Sequence, residues 1–285
     1  MLEVRSLSKS FGSTNAISAV SFAIRPGELV GLLGRNGAGK TTTLSCVAGY
    51  LKPDAGSVVI SKGAKRQNRD LGFAAQDLAL YPTLTVEQNI DFAGRLGGLS
   101  LRASRAATAE VIVTLGLEGF SRRRTLTLSG GQQRLVHVAC ALVHHPEVIV
   151  LDEPTASLDV DARAALFEYL RRLATEGAAI LVSSHYVTEV EQHCKRVVVI
   201  DQGHVLMDAP IDALIAEEAD THIEISFSDH RRVIADDDLF AVLSGLTDDE
   251  QQTLQSIEVS RPSLEQIFLR LVGVRRLSEP ELQEA

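Results

Sequence analysis

The chain has 285 residues, and 45% of them are hydrophobic, which is enough for one large domain or for a domain with an appendage. Its net charge of −9 argues against general nucleic-acid binding. No apolar run approaches the roughly 18 residues that span a bilayer, and the N-terminus lacks the basic and then apolar pattern of a secretion signal. We therefore expect a chain that is neither secreted nor integral to a membrane. Its three widely spaced cysteines fit a reducing cytosol.

The charge is unevenly distributed. Residues 217–285 carry 16 acidic and 6 basic side chains, a net charge of −10, whereas residues 1–216 have a net charge of +1. This shift predicts a domain boundary near Glu217, with a main domain over residues 1–216 and an acidic C-terminal accessory domain over residues 217–285.

The N-terminal region predicts antiparallel strands that lead into a phosphate-binding loop. Residues 1–33 alternate short apolar runs with turns, and the last apolar run covers residues 29–33. The sequence Gly-Arg-Asn-Gly-Ala-Gly-Lys-Thr-Thr follows at residues 34–42 and fits the Walker A pattern. Glycines there let backbone N–H groups face a polyphosphate, while Lys40 would reach its β and γ phosphates and Thr41 would hold Mg²⁺. The predicted nucleotide-binding residues of this loop are Gly34, Asn36, Gly37, Ala38, Gly39, Lys40, Thr41 and Thr42.

The next segments predict a layered α/β fold. Residues 41–50 and 86–120 have helical patterns, and short strands are expected at 58–60 and 71–73. Continuous apolar runs at 148–151 and 179–182 suit central parallel strands, with a helix over 161–176 between them. The expected fold class is α/β: a phosphate-loop NTPase core with a mostly parallel sheet, an antiparallel β layer, and an inserted helical subdomain over about residues 77–135.

Beyond residue 216 the pattern predicts a small α+β domain. Ile223, Ile225 and Phe227 alternate with polar residues, as in a half-exposed strand. Capping boxes at residues 247–250 and 263–266 predict the starts of two helices.

Several polar motifs follow the phosphate loop in a fixed order. Gln76 comes after the strand at 71–73, and Leu-Ser-Gly-Gly-Gln occupies residues 128–132. Asp152 and Glu153 follow the apolar run at 148–151, and the set is completed by Asp159 and by His185. This ordered set resembles the nucleotide-binding subunit of ATP-binding-cassette (ABC) transporters, and the resemblance covers residues 1 to about 210. It implies an ATPase that uses ATP and Mg²⁺.

The resemblance implies a task for each of these residues. Adjacent carboxylates at the edge of an apolar core are costly unless a cation is near, and a metal-bound nucleotide would supply one. Asp152 would hold the Mg²⁺ shell, Glu153 would be the general base, and His185 would contact the γ-phosphate. The resemblance further implies that Gln76 contacts Mg²⁺, that Phe11 stacks on adenine and that Asp159 couples two sites.

The signature, which is the Leu-Ser-Gly-Gly-Gln segment at residues 128–132, predicts a shared active site. Ser129, Gly130, Gly131 and Gln132 would open a helix, forming an anion site without an anion of its own. In the family this site meets the γ-phosphate held by a second ATPase subunit, so a head-to-tail dimer with two nucleotides is expected. Since every motif position matches, both sites of a homodimer should be competent.

Other segments indicate partners. Residues 77–89 are apolar-rich for a surface loop, which indicates a groove for a helix of an integral membrane permease. Residues 261–271 resemble the terminal helix of type-2 exporter ATPases, the group that includes daunorubicin-resistance ATPases. We therefore predict an ATPase subunit that powers an exporter and sits on the cytoplasmic face of the membrane through its permease. The energy subunit of an importer is one alternative. A soluble ABC ATPase acting on DNA or ribosomes is another, although this chain has one cassette and no nucleic-acid partner is expected.

Overall fold

The computed structural model describes residues 1–60, 70–217, 222–228, 231–235, 239–260 and 263–278. Its strands are β1 (Leu2–Phe11), β2 (Thr14–Ile24), β3 (Leu29–Leu33), β4 (Ala55–Ile60), β5 (Leu71–Ala74), β6 (Val148–Asp152), β7 (Ala179–Ser184), β8 (Arg196–Asp201), β9 (His204–Pro210), β10 (His222–Phe227), β11 (Arg231–Ala235) and β12 (Leu254–Ser260). Its helices are α1 (Lys40–Ala48), α2 (Val86–Leu96), α3 (Leu101–Thr114), α4 (Gly130–Leu142), α5 (Val160–Thr175), α6 (Val187–His193), α7 (Ile211–Glu217), α8 (Leu239–Ser244), α9 (Asp248–Thr253) and α10 (Leu264–Ser278).

The central sheet has six strands in the order β5-β6-β7-β3-β8-β9, and the pairs from β5 to β8 are parallel. Every residue of β3, β6 and β7 is buried, as the continuous apolar runs predict for strands covered on both faces. Because the strands are parallel, their carboxyl ends meet at one edge. The residues that follow β3, β6 and β7 therefore lie at that edge.

An antiparallel layer flanks this sheet, as expected. β1 pairs with β2 on one side and with β4 on the other. The core cluster joins buried side chains of this layer to those of the central sheet and α1. Examples are Leu2, Ile24, Leu32, Leu44 and Leu181, each with no exposed surface. This packing holds the end of β3, and hence the phosphate loop, against α1.

The helices α2, α3 and α4 form the inserted helical subdomain. α2 begins at a capping box in which the Thr85 hydroxyl accepts from the Gln88 N–H and the Gln88 side chain accepts from the Thr85 N–H. α2 packs against α3 and α4. α4 runs on to Leu142, beyond the expected limit at residue 135, because its second half has buried apolar residues and contacts β5 and β6.

The second unit begins earlier than the charge distribution predicts. The chain divides into Met1–Asp208 and Ala209–Ala285, whereas the shift in charge placed the boundary at Glu217. The difference arises because α7 packs against α10. The second unit contains the antiparallel sheet β11-β10-β12, on which Ile225 and Phe227 pack with Leu246. The predicted capping boxes at Thr247 and Ser263 are both formed.

Candidate functional site

A cleft of about 440 Å³ opens at the carboxyl edge of the central sheet. It is lined by Ala16, Arg35, Asn36, Gly37, Gly39, Lys40, Thr41, Thr42, Gln76, Glu153 and His185. Nine of these residues were singled out from the sequence, and the fold brings them together from segments that are far apart in the chain. Ala16 and Arg35 were not singled out. Ala16 belongs to β2, and only the folded layer brings that strand to the loop.

The loop itself has a backbone that requires glycine. Gly39 has a φ of 103°, and a Cβ on it would lie 2.6 Å from the Ala16 carbonyl oxygen. A Cβ on Gly34 would lie 2.4 Å from the Ile200 carbonyl oxygen. Side chains at these positions would push the loop away from β2 and β8, so the cradle depends on both glycines.

Lys40 places a buried ammonium group at the base of the loop. Its side chain donates to the carbonyl oxygens of Gly34, at 2.6 Å, and of Arg35, at 3.2 Å. Burial lowers the pKa of Lys40, while the nearby carboxylates of Glu153 and Asp152 act in the opposite direction. A buried cation beside a glycine-built cradle fits a triphosphate.

Asp152 offers a free acceptor at the end of β6. It is 1% exposed, and its Oδ1 accepts from the Ser183 hydroxyl at 2.5 Å. Its Oδ2 is buried without a hydrogen-bond partner in the described part of the chain. Since a buried carboxylate oxygen normally has a partner, this atom fits the oxygen-ligand shell of a hard cation such as Mg²⁺.

Glu153 is held beside His185. It has a φ of 49°, a strained value for a residue that is not glycine, and its N–H donates to the Ser183 hydroxyl at 3.0 Å. Its Oε1 lies 3.4 Å from Nδ1 of His185. Ser183 therefore holds the Asp152 carboxylate and the Glu153 backbone, a role that sequence reasoning missed because Ser183 lies 30 residues after Glu153.

Gln76 is anchored from the helical subdomain. The guanidinium of Arg134 on α4 donates to the carbonyl oxygens of Ala75, at 3.0 Å, and of Gln76, at 2.5 Å. The helix that begins at the signature thus holds the Gln76 segment at the cleft. The sequence placed Arg134 next to the signature, but no local pattern indicated this contact.

The signature lines a different cavity, of about 470 Å³, together with Asp159. Ser129 caps α4 in a reciprocal capping box with Gln132. Asp159 caps α5 by accepting from the Ala162 N–H at 2.8 Å. Ser129, Gly131, Gln132 and Asp159 line this second cavity, and none of them lines the loop cleft.

Phe11 lies at the end of β1 and lines neither of these two cavities. Its side chain is 52% exposed, and the Lys9 ammonium lies 5.8 Å from its ring centroid. An exposed aromatic face is available for stacking, so the structure is compatible with the predicted adenine contact.

Comparison with known proteins identifies the family. The family model for ABC transporters matches residues 17–156. The chain is 35% identical to the Nod factor export ATP-binding protein I of Paraburkholderia xenovorans, over 95% of this chain and 97% of that protein. It is 32% identical to the doxorubicin resistance ATP-binding protein DrrA of Mycobacterium tuberculosis, over 99% of this chain and 87% of that protein. A solved dimeric ATP-binding cassette in a post-hydrolysis state, bound to ADP and Pi, superposes with a TM-score of 0.67 at 26% identity, covering 74% of this chain and 98% of that one.

The chain therefore belongs to the ATP-binding subunits of ABC transporters. It is an ATPase that uses ATP and Mg²⁺. It is similar to type-2 exporter ATPases, the group that residues 261–271 indicated. Subunits of this class dimerise and work with membrane permeases. Among the helices that the structure describes, none has the length and apolar character needed to cross a bilayer.

Proposed function

We propose that this chain hydrolyses ATP to drive an exporter, with Glu153 as the general base. The observation that carries this proposal is the 3.4 Å approach of Glu153 Oε1 to His185 Nδ1 inside the phosphate-loop cleft. A carboxylate in this position can take a proton from an attacking water, and the imidazole can hold the water and the γ-phosphate in line.

The other cleft residues bind and orient the nucleotide. Lys40 neutralises the β and γ phosphates, and the loop from Gly34 to Thr42 supplies backbone donors and hydroxyls. Thr41, Gln76 and Asp152 would hold Mg²⁺, which supplies positive charge that stabilises the transferring phosphoryl group. Ser183 keeps Asp152 and Glu153 in place.

We propose that two copies of the chain form a head-to-tail homodimer. Ser129, Gly130 and Gly131 lie at an exposed helix N-terminus, whose positive end favours an anion. Ser129 and Gly131 line a cavity separate from the loop cleft, so a second copy is the natural source of the phosphate that this helix end would bind. Asp159, in the same cavity, would then lie at the interface.

A groove of about 620 Å³ is the proposed contact for the permease. Its lining includes the 80% exposed Tyr50, together with Phe73, Ala79 and Leu96, and it reaches from the nucleotide-binding core to α2 and α4. We propose that an apolar permease helix occupies it and holds the chain at the cytoplasmic face of the membrane. The names of the two relatives, with Nod factor export in one and doxorubicin resistance in the other, support export as the direction.

The test is Glu153→Gln, which preserves the shape of the side chain but removes the base. We expect ATP affinity to be retained and hydrolysis to fall on the order of 10²–10⁴-fold. The variant should also form an ATP-dependent dimer on size exclusion, because bound ATP would no longer be consumed. The matched control is Glu168→Gln, at an exposed position of α5. Equal turnover in the two variants would contradict the role of Glu153.

A further inference from the structure

A buried carboxylate lies behind the catalytic pair and outside the nucleotide cleft. Glu189, on α6, is 4% exposed. Its Oε2 accepts from the Thr155 hydroxyl at 2.8 Å and from the Ser184 hydroxyl at 3.0 Å. Thr155 and Ser184 are each 2% exposed, so this is a buried, polar contact between three separate segments. Such contacts are costly to leave incomplete, and they fix the segments that they join.

One arm of the contact fixes the turn that carries His185. The Ser184 hydroxyl donates to Glu189 and accepts from the Tyr186 N–H at 3.0 Å. Ser184 precedes His185 and Tyr186 follows it, so this hydroxyl ties both neighbours of His185 to Glu189. The imidazole stands on a backbone held from both neighbours, although its own ring is 40% exposed.

The other arm fixes the turn that carries Glu153. Thr155 lies two residues after Glu153, in a turn where Glu153 and Ser157 both have positive φ values, 49° and 66°. Strained backbone of this kind persists only when its surroundings hold it in place. The Thr155 hydroxyl, through Glu189, supplies such a hold at the buried side of the turn.

The charge of Glu189 is balanced within the same cluster. Arg163 of α5 places its Nε 3.1 Å from Glu189 Oε1. The guanidinium thus faces one carboxylate oxygen, while the other, Oε2, accepts from both hydroxyls.

We infer that Glu189 is a positioning residue for ATP hydrolysis, which sets the separation of Glu153 and His185 by joining the turns that carry them. The inference rests on the proposed roles of those two residues. It adds a third group, which does not line the nucleotide cleft and acts through Thr155 and Ser184.

The experiment removes one arm at a time in the full-length chain. Thr155→Val keeps the shape and deletes the hydroxyl, whereas Thr155→Ser keeps the hydroxyl. The control is Thr108→Val, which removes a hydroxyl that is equally buried, on α3, and has no hydrogen-bond partner in the described part of the chain. We expect Thr155→Val to lower kcat up to about tenfold with the KM for ATP within about twofold, because one orienting hydrogen bond is lost. Thr155→Ser should restore most of kcat.

Glu189→Gln supplies a second, independent measurement. Oε2 already serves both hydroxyls, so the change replaces only Oε1, and the amide N–H₂ then faces the Arg163 guanidinium in place of a carboxylate oxygen. The side chain is displaced by this contact between two donors, so kcat should fall again with little change in KM. Thr155→Val and Glu189→Gln both disturb the same cluster of contacts around Glu189. The double variant should therefore lose less kcat than the product of the two single effects.

The outcomes separate this inference from the proposed function. Equal kcat in Thr155→Val and Thr108→Val overturns it, and so does a parallel fall of kcat, ATP affinity and thermal midpoint, which marks a merely structural role. If either of these results is found while Glu153→Gln has low turnover, the role of Glu189 is contradicted and the role of Glu153 stands. Normal turnover in Glu153→Gln would contradict both.

Discussion

Gly131→Ala tests the contact between the signature helix and the turn before α5. A Cβ on Gly131 would lie 2.3 Å from the Ser157 carbonyl oxygen, and the atom it meets is backbone. Ordinary contact begins near 3.4 Å, so the two segments must separate by about 1 Å. Gly130 is the matched control, because a Cβ there meets nothing within 4 Å.

The magnitude follows from the difference between these variants. Alanine in place of glycine favours a helix by roughly 0.5–1 kcal/mol, and both variants share this gain. Only Gly131→Ala adds the overpacking cost, typically about 1–3 kcal/mol. For a domain of this size, one kcal/mol changes the midpoint by roughly 2–4 °C. We therefore expect Gly131→Ala to melt about 2–12 °C below Gly130→Ala.

The assay is thermal unfolding followed by circular dichroism, without nucleotide and at one protein concentration for both variants. Omitting the nucleotide matters, because ligand binding raises apparent stability and would mask the contact. Equal midpoints for the two variants would show that the turn yields at little cost. The close approach of Gly131 to Ser157 would then not constrain the signature.

Three further predictions address binding, sharing and domain independence. Lys40→Ala should weaken ATP binding in calorimetry, because it removes the buried ammonium, and unchanged affinity would contradict the loop assignment. Ser129→Arg should keep ATP binding in the monomer but block hydrolysis. If the two subunits share their sites, mixing the Ser129→Arg and Lys40→Ala variants should restore part of the activity. A mixture that stays inactive although heterodimers form would argue against independent shared sites. A chain that ends at Asp208 should keep its ATP affinity, since every predicted site residue precedes that position; a truncated chain that folds but no longer binds ATP would place the second unit in the site.

The local parts of this site could be predicted from the sequence. The phosphate loop and the signature are continuous segments whose residue types follow from one backbone shape. Gly39 is needed for its φ of 103°, and Ser129 for its capping box with Gln132. The apolar runs likewise indicated β6 and β7, because buried parallel strands require them on both faces.

The contacts between distant segments could not be predicted in this way. Ser183 bonds residues about 30 positions earlier, and Arg134 bonds carbonyls 58 and 59 positions earlier. Backbone carbonyls and hydroxyls accept bonds in every sequence, so no local pattern singles out these partners. The predicted boundary at Glu217 differs from the division after Asp208 for a related reason. Charge reports the surface, whereas the packing of α7 against α10 decides which residues belong together.

The turn between β6 and α5 brings the two halves of the mechanism into one short segment. It begins at Glu153, the proposed base, and is held at Thr155 through Glu189. Four residues after Glu153, the carbonyl of Ser157 lies against Gly131 of the signature, so a displacement at one end must be absorbed by a backbone with two strained φ values. In the proposed head-to-tail dimer, closure of the signature of one copy on the nucleotide of the other would press on Gly131, and the proposed base of the same copy lies only a few residues further along this turn. This short path is a physical reason for two sites in a head-to-tail dimer to respond to each other, and it needs no long-range network across the subunit.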